Sequence, residues 1–276
     1  MKAVNIYLIR AISNLHVGSG EGDFSVVDKQ VQRDPVTNLP VIHASGIKGA
    51  LREAMEYEAE QAQDVDVKGQ KVAAILSIFG GDPKRKSGNI QQGLNNFFDG
   101  KLIALPIRSS HHFFYVATCP SLLAALKEDL ATFSSAHPLI GTLNALQAVA
   151  VSKGAPVYFG AKGGNISLES WTAKHDEGQV GSLTDYLGDR IALLHDDDFN
   201  TLALELPIIA RNYLVNGISS NLWYEEVVPR EARFYTMITR HADKDDLNTF
   251  LTNSNNLVQL GANATVGYGL CEFKNI

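Results

Sequence analysis

Residues 3–13 carry Val, Ile, Leu and Tyr with almost no polar break, the pattern of a buried strand. A glycine-rich loop follows at 14–22, then a loosely alternating stretch at 25–32 that reads as an extended arm. Residues 34–40 have turn chemistry, and Val41-Ile42 forms a short apolar stub. Ser45 is the expected N-cap of a helix running to about Ala62, because Ile47, Ala50, Leu51, Ala54 and Met55 recur at helical spacing. Residues 81–96 form a long polar insertion, expected to be mobile. Strands are expected at 100–106, 113–118, 202–209 and 232–239, and helices at 120–134, 138–149, 182–192 and 243–253. The 182–192 helix ends at the acidic segment His195-Asp196-Asp197-Asp198-Phe199. Asn216-Gly217, flanked by Tyr213-Leu214 and Leu222-Trp223, is a strong hairpin signal. The chain closes with a strand, a glycine turn over Gly261–Gly269 and a last strand. Strands and helices alternate, with strands at both ends. That pattern fits an α+β fold built on ferredoxin-like units better than a doubly wound sheet.

Composition adds bounds. At 276 residues, 45% hydrophobic and 20% charged, the chain can bury a sizeable core. It holds no apolar run of about 18 residues, so no membrane span is expected. The first residues enter a strand pattern directly, without the layout of a secretion signal. Cys119 and Cys271 stand far apart without metal-ligand neighbours, and read as free thiols of a cytoplasmic protein. The net charge of −6 argues against a uniformly basic nucleic-acid binder. Yet Lys29, Arg33, Lys48, Arg52, Lys101 and Arg108 all fall early in the chain, so a local basic track can coexist with an acidic back.

Several motifs carry candidate chemistry. Gly18, Gly20 and Gly22 do not match a dinucleotide fingerprint, since the loop leads into an extended segment rather than a helix. His111-His112 is adjacent and lacks the i, i+4 spacing of a helical zinc site. Asp28 is an acid within a strand-like arm, where acids are depleted. It reads as a metal ligand, as a proton acceptor beside a phosphate, or as an edge charge that discourages aggregation. Glu225-Glu226 offers a second carboxylate, and Mg²⁺ takes one or two from protein. His16 is a candidate base or a polar surface residue. Lys48 and Arg52 sit near a helix N-terminus, which favours anions, or form a solvated face.

The segment LHVGSGEG…VVDKQVQRDPVTNLPVIHASGIKGALRE resembles the N-terminal signature of the RAMP superfamily of CRISPR proteins. Within that superfamily it is most similar to the repeated backbone subunit of the type III-B (Cmr) effector complex. The likeness continues through IFG at 78–80, FFDGKLIALPIRS at 97–109, ATCP at 117–120, LGDRIALLHDDDF at 187–199, LWYEE at 222–226 and GANATVGYGL at 261–270. The chain departs from the pattern at residues 110–112 and across 82–96. The resemblance implies a single modified RRM-like RAMP domain with a β-hairpin thumb at about 211–222. It implies copies stacked head to tail along a CRISPR guide RNA, other Cmr subunits, and a target single-stranded RNA cut at regular intervals. It places the cutting acid on Asp28, a further acid on Glu225 or Glu226, and Mg²⁺ or another divalent metal at Asp28. His16, Arg33, Lys48, Arg52, Arg211 and the backbone at Gly267 are the expected RNA contacts. Two other functions stay open: a non-catalytic RNA-binding scaffold, and a guide-processing endonuclease with His16 as base.

Overall fold

The structure is a computed structural model that describes residues 2–18, 20, 27–81, 92–133, 137–160, 163–178 and 180–276. Most of the expected glycine loop beyond Gly18, the start of the arm, and the 82–91 part of the insertion lie outside the described residues.

One mixed sheet organises the chain. Its strands run in the order Leu257–Gln259, Leu270–Asn275, Lys2–Ala11, Arg233–His241, Gly100–Arg108, Phe114–Thr118, Ile191–Leu193, Val157–Tyr158, Trp171–His175 and Ile166–Leu168. Neighbours are antiparallel except Phe114–Thr118 beside Ile191–Leu193 and Val157–Tyr158 beside Trp171–His175. Successive side chains on a strand point to opposite faces. Tyr7 and Ile9 therefore enter one core cluster, and Ile6 and Leu8 the other. A sheet buried on both faces reads as near-continuous apolar sequence, which is why the first strand is apolar from Ala3 to Ile9 apart from Asn5.

Helices cover both faces. Ala44–Gln61 buries Ile47, Leu51, Met55 and Ala59, one residue per turn. With Val65–Phe79 and Asp246–Asn253 it covers the Tyr7 face. Pro120–Phe133 and Leu139–Gln147 cover the other, through Leu123, Leu126, Leu130 and Leu143. Among the described residues there are seven α-helices around a mixed sheet, so the expected α+β architecture holds. No helix among them is long and apolar enough to cross a membrane.

Several local expectations need correction. Ser45 does not cap its helix: the helix starts at Ala44, whose N–H donates to Asp99 Oδ1 at 2.6 Å. The acidic segment opens a helix rather than ending one. Asp196–Leu204 has all three aspartates in its first turn, where negative charge meets the free N–H groups. That helix takes residues 202–204 from the expected strand, which begins only at Ile208. Residues 182–192 divide into a short 3₁₀ turn, one turn of α-helix and the strand Ile191–Leu193, broken at Gly188 with φ of 89°. The helix Val65–Phe79 was not expected. Asp64 caps it by accepting from the N–H groups of Asp66 and Val67.

A separate two-stranded sheet, Ile208–Val215 and Ile218–Glu226, projects from this body. Asn216 and Gly217 both take positive φ, 50° and 80°, the turn geometry that matches the twist of paired strands. The hairpin is longer than expected and exposes Tyr213, Leu214, Val215, Ile218 and Leu222.

Candidate functional site

Four segments meet at the root of this hairpin: the 27–33 arm, the two hairpin strands and the 261–269 glycine loop. The arm is stitched to the second strand by main-chain bonds. Lys29 N–H donates to Tyr224 O at 3.2 Å, and Glu226 N–H donates to Lys29 O at 2.9 Å. Between them, the N–H of Tyr224 donates to Asp28 Oδ2 at 2.8 Å. Asp28 is thus an exposed carboxylate oriented by the hairpin backbone.

The two adjacent glutamates point to opposite sides of the strand. Glu225 is fully buried. Its Oε1 accepts from Trp223 Nε1 at 2.8 Å and Lys29 Nζ at 3.0 Å. Its Oε2 accepts from Asn263 Nδ2 at 2.9 Å and pairs with Arg211 Nε at 3.1 Å. Burial alone would raise the Glu225 pKa. The hydrogen bonds from Trp223 and Lys29, with the Arg211 charge, outweigh it and hold the carboxyl below its ordinary value. Glu226 pairs with Arg33 and accepts from the N–H of Val31 at 3.0 Å. The buried His16 ring sits 2.8 Å, through Nδ1, from the Glu226 carbonyl oxygen.

The glycine loop packs beneath. Gly261 and Gly269 have φ of 72° and 79°, and a Cβ on either would strike the main-chain oxygens of His16 and Leu260 respectively. Glycine there lets the loop pass close enough for Ala262 N–H to reach His16 O at 2.9 Å and for Asn263 to reach Glu225. Gly267, with φ of 84°, turns the exposed loop after a short 3₁₀ segment. Tyr268 beside it lies 4.8 Å under the Arg211 guanidinium.

The structure therefore brings together Asp28, Glu225, Glu226, His16, Arg33 and Arg211, with the Gly267 loop adjoining. Lys48 and Arg52 stand on the helix Ala44–Gln61 and make other contacts. Lys48 Nζ lies 5.9 Å over the Phe97 ring, and Arg52 pairs with Glu56 at 2.9 Å. Arg33 is engaged inward: besides Glu226 it donates to the carbonyls of Asn38 and Ala203. Sequence reasoning did not assign Lys29 or Asn263 to the site. Lys29 adjoins Asp28 and was legible as its neighbour, whereas nothing local marked Asn263.

Among the described residues, no three His, Cys, Asp or Glu side chains gather into a metal cage. The oxygens of Glu225 and Glu226 are engaged by cations and N–H groups, which leaves Asp28 as the accessible acid. One carboxylate is compatible with Mg²⁺, which commonly takes one or two from protein and the rest from phosphate and water.

The RAMP superfamily model matches residues 8–272. The chain belongs to the RAMP superfamily. This RAMP protein is 30% identical over 290 residues to the CRISPR system Cmr endoribonuclease Cmr4 of Pyrococcus furiosus, covering 98% of this chain and 94% of the relative. It is 24% identical to the CRISPR system CMR subunit Cmr4 of Saccharolobus solfataricus, over 98% and 96% of the two chains. Among solved structures, an apo type III-B Cmr-beta chain superposes with a TM-score of 0.78 at 21% identity, covering 99% of this chain and 97% of that one. Oligomeric Cmr4 from Pyrococcus furiosus gives 0.67 at 20% identity, over 100% and 99%. The RAMP fold implied by the sequence motifs is the fold observed, and the resemblance to a type III-B Cmr subunit holds.

Proposed function

We propose that this chain is a repeated backbone subunit of a type III-B CRISPR effector. It binds guide RNA alongside further copies of itself and other Cmr subunits, and it cuts target RNA at Asp28. The observation that carries this reading is the exposed Asp28 carboxylate, fixed by the Tyr224 N–H at the root of a projecting hairpin. Supporting it, a relative that matches almost end to end, Cmr4 of Pyrococcus furiosus, is a Cmr endoribonuclease.

In this mechanism the hairpin acts as a thumb that displaces one target nucleotide from the guide–target duplex. Displacement brings a 2′-OH in line with its neighbouring phosphate. Asp28 accepts the 2′-OH proton as the 2′-oxygen attacks phosphorus, and the bond to the 5′-oxygen breaks. The 5′-oxygen takes a proton, so the products are a 5′-OH end and a 2′,3′-cyclic phosphate that can open to a 3′-phosphate. A divalent ion such as Mg²⁺, which Asp28 would help to hold, would stabilise the negative charge that develops. The guide lacks the distortion and survives. Lys48, Arg52, Arg211 and the backbone at Gly267 contact RNA phosphates and 2′-OH groups with little base readout, because a filament must accept any guide sequence.

The test compares wild type with Asp28→Asn in the guide-loaded complex. Expected is a loss of evenly spaced cuts by about 10²–10⁴-fold, with target binding retained. Undiminished cutting by the variant overturns the assignment and leaves a scaffold role. A 5′-phosphate product overturns attack by the 2′-OH.

A further inference from the structure

We infer that Glu225 is a positioning residue for this reaction: it locks the Asp28-bearing arm to the hairpin, so that the hairpin sets where the cutting acid stands. The inference rests on the proposed role of Asp28.

The argument begins with accessibility. The Glu225 side chain is 1% exposed, and each of its oxygens already has two partners. Neither RNA nor a metal ion reaches it without displacing a cation. Its chemistry is therefore directed inward, to Lys29 on the arm, Arg211 on the first hairpin strand, Trp223 on the second and Asn263 on the glycine loop. Charge-assisted hydrogen bonds to a buried carboxylate are the strong kind, and three of them converge here beside the Arg211 ion pair.

The geometry then links Glu225 to Asp28. Lys29 is the next residue after Asp28, and its ammonium lies both on Glu225 Oε1 and 5.5 Å over the Trp223 ring. The same strand holds the arm through its backbone, with Tyr224 and Glu226 contacting residues 28 and 29 on either side of Glu225. The pairing is an isolated bridge, Lys29 with Glu225, rather than a long ladder. A bridge that short gives little register by itself, and the ion pair beneath it supplies the rest. Glu226 does not duplicate this function, because its partners Val31 and Arg33 lie farther along the arm. RNA that seats the hairpin thereby seats Asp28.

Two substitutions test this. Glu225→Gln keeps the shape but removes the charge and turns an NH₂ group against existing donors. Trp223→Phe keeps a ring but deletes one N–H donor. Each is assembled into the guide-loaded complex, and single-turnover target cleavage is measured across target concentration, with and without Asp28→Asn. A misplacement near 1 Å costs on the order of 10²-fold in rate, so Glu225→Gln is expected to lower the maximal rate about 10- to 100-fold. Trp223→Phe is expected to lower it about 3- to 10-fold by losing one charge-assisted bond. The half-saturating target concentration stays within about threefold in both, as expected for an effect on the chemical step alone. Neither variant lowers the residual rate of Asp28→Asn.

The positioning role is overturned by unchanged rates in both variants. It is equally overturned by an effect confined to half-saturation, or by the same fold-loss in the Asp28→Asn background. If Glu225→Gln does not assemble, Trp223→Phe decides alone. Wild-type cutting by Asp28→Asn instead refutes the cutting-acid reading, and this role falls with it. Lost cutting by Asp28→Asn beside normal cutting by both other variants refutes the positioning role only.

Discussion

Replacing Glu231 with Gln tests how the chain returning from the hairpin is anchored in the sheet. Arg10 clamps Glu231 with Nε at 3.1 Å and Nη2 at 2.8 Å, and Arg233 Nη2 adds a contact at 3.0 Å. The side chains of Glu231 and Arg233 are 13% and 6% exposed, whereas Arg10 is 40% exposed. The exposed arm contributes under about 1 kcal/mol. The buried arm dominates, because its loss strands the Arg233 charge, and breaking such a pair costs about 3–5 kcal/mol. The expected destabilisation at pH 7 is about 3 kcal/mol, read as a drop in unfolding free energy from urea titration. Burial pushes the Glu231 carboxyl up, but the Arg10 hydrogen bonds and the Arg233 charge hold it below the usual 4.5. A depressed pKa contributes stability above the unfolded value and loses it as pH falls through the folded one. The gap between wild type and Glu231→Gln should therefore be full at neutral pH and shrink as pH drops below 4.5. Adding Arg233→Met should recover most of the loss, since an apolar side chain carries no charge to strand. A gap below about 1 kcal/mol at pH 7, or one independent of pH, refutes this account.

Two more outcomes are expected. Lys48→Glu should weaken guide RNA binding and flatten its dependence on log salt by about one unit, and unchanged affinity and slope would remove Lys48 from the RNA path. Cys119 and Cys271 are buried free thiols whose pKa burial pushes up to about 12. Alkylation at pH 8 should fail in the folded protein and label both in denaturant, and rapid labelling of native protein would contradict their burial.

Elements set by neighbouring residues were legible in the sequence. The hairpin followed from Asn216-Gly217, a pair whose residue types suit the two successive positive φ angles that its turn takes. The helix Ala44–Gln61 followed from its one-per-turn apolar stripe. Misreadings arose where distant partners decide. The cap of that helix comes from Asp99, far along the chain, so Ser45 misled. Leu202–Leu204 looked strand-like because the strand and the buried side of a short helix are equally apolar over three residues. The candidate site divides the same way. Asp28 stood out as an acid in an extended arm. The surroundings of Glu225 were hidden, because Lys29 and Asn263 reach it across 196 and 38 positions.

The order of strands in the central sheet also bears on synthesis. Lys2–Ala11 lies between Arg233–His241 and Leu270–Asn275 and pairs with both. The segment made early thus has no strand partner until the late segments emerge. At about 5–20 residues per second that delay lasts roughly ten seconds or longer. Throughout it, a nearly unbroken apolar strand waits with both edges open, the state most prone to pair with the wrong neighbour. Nascent chains of this protein should therefore depend on chaperone shielding of residues 2–11, and truncations before Arg233 should be insoluble.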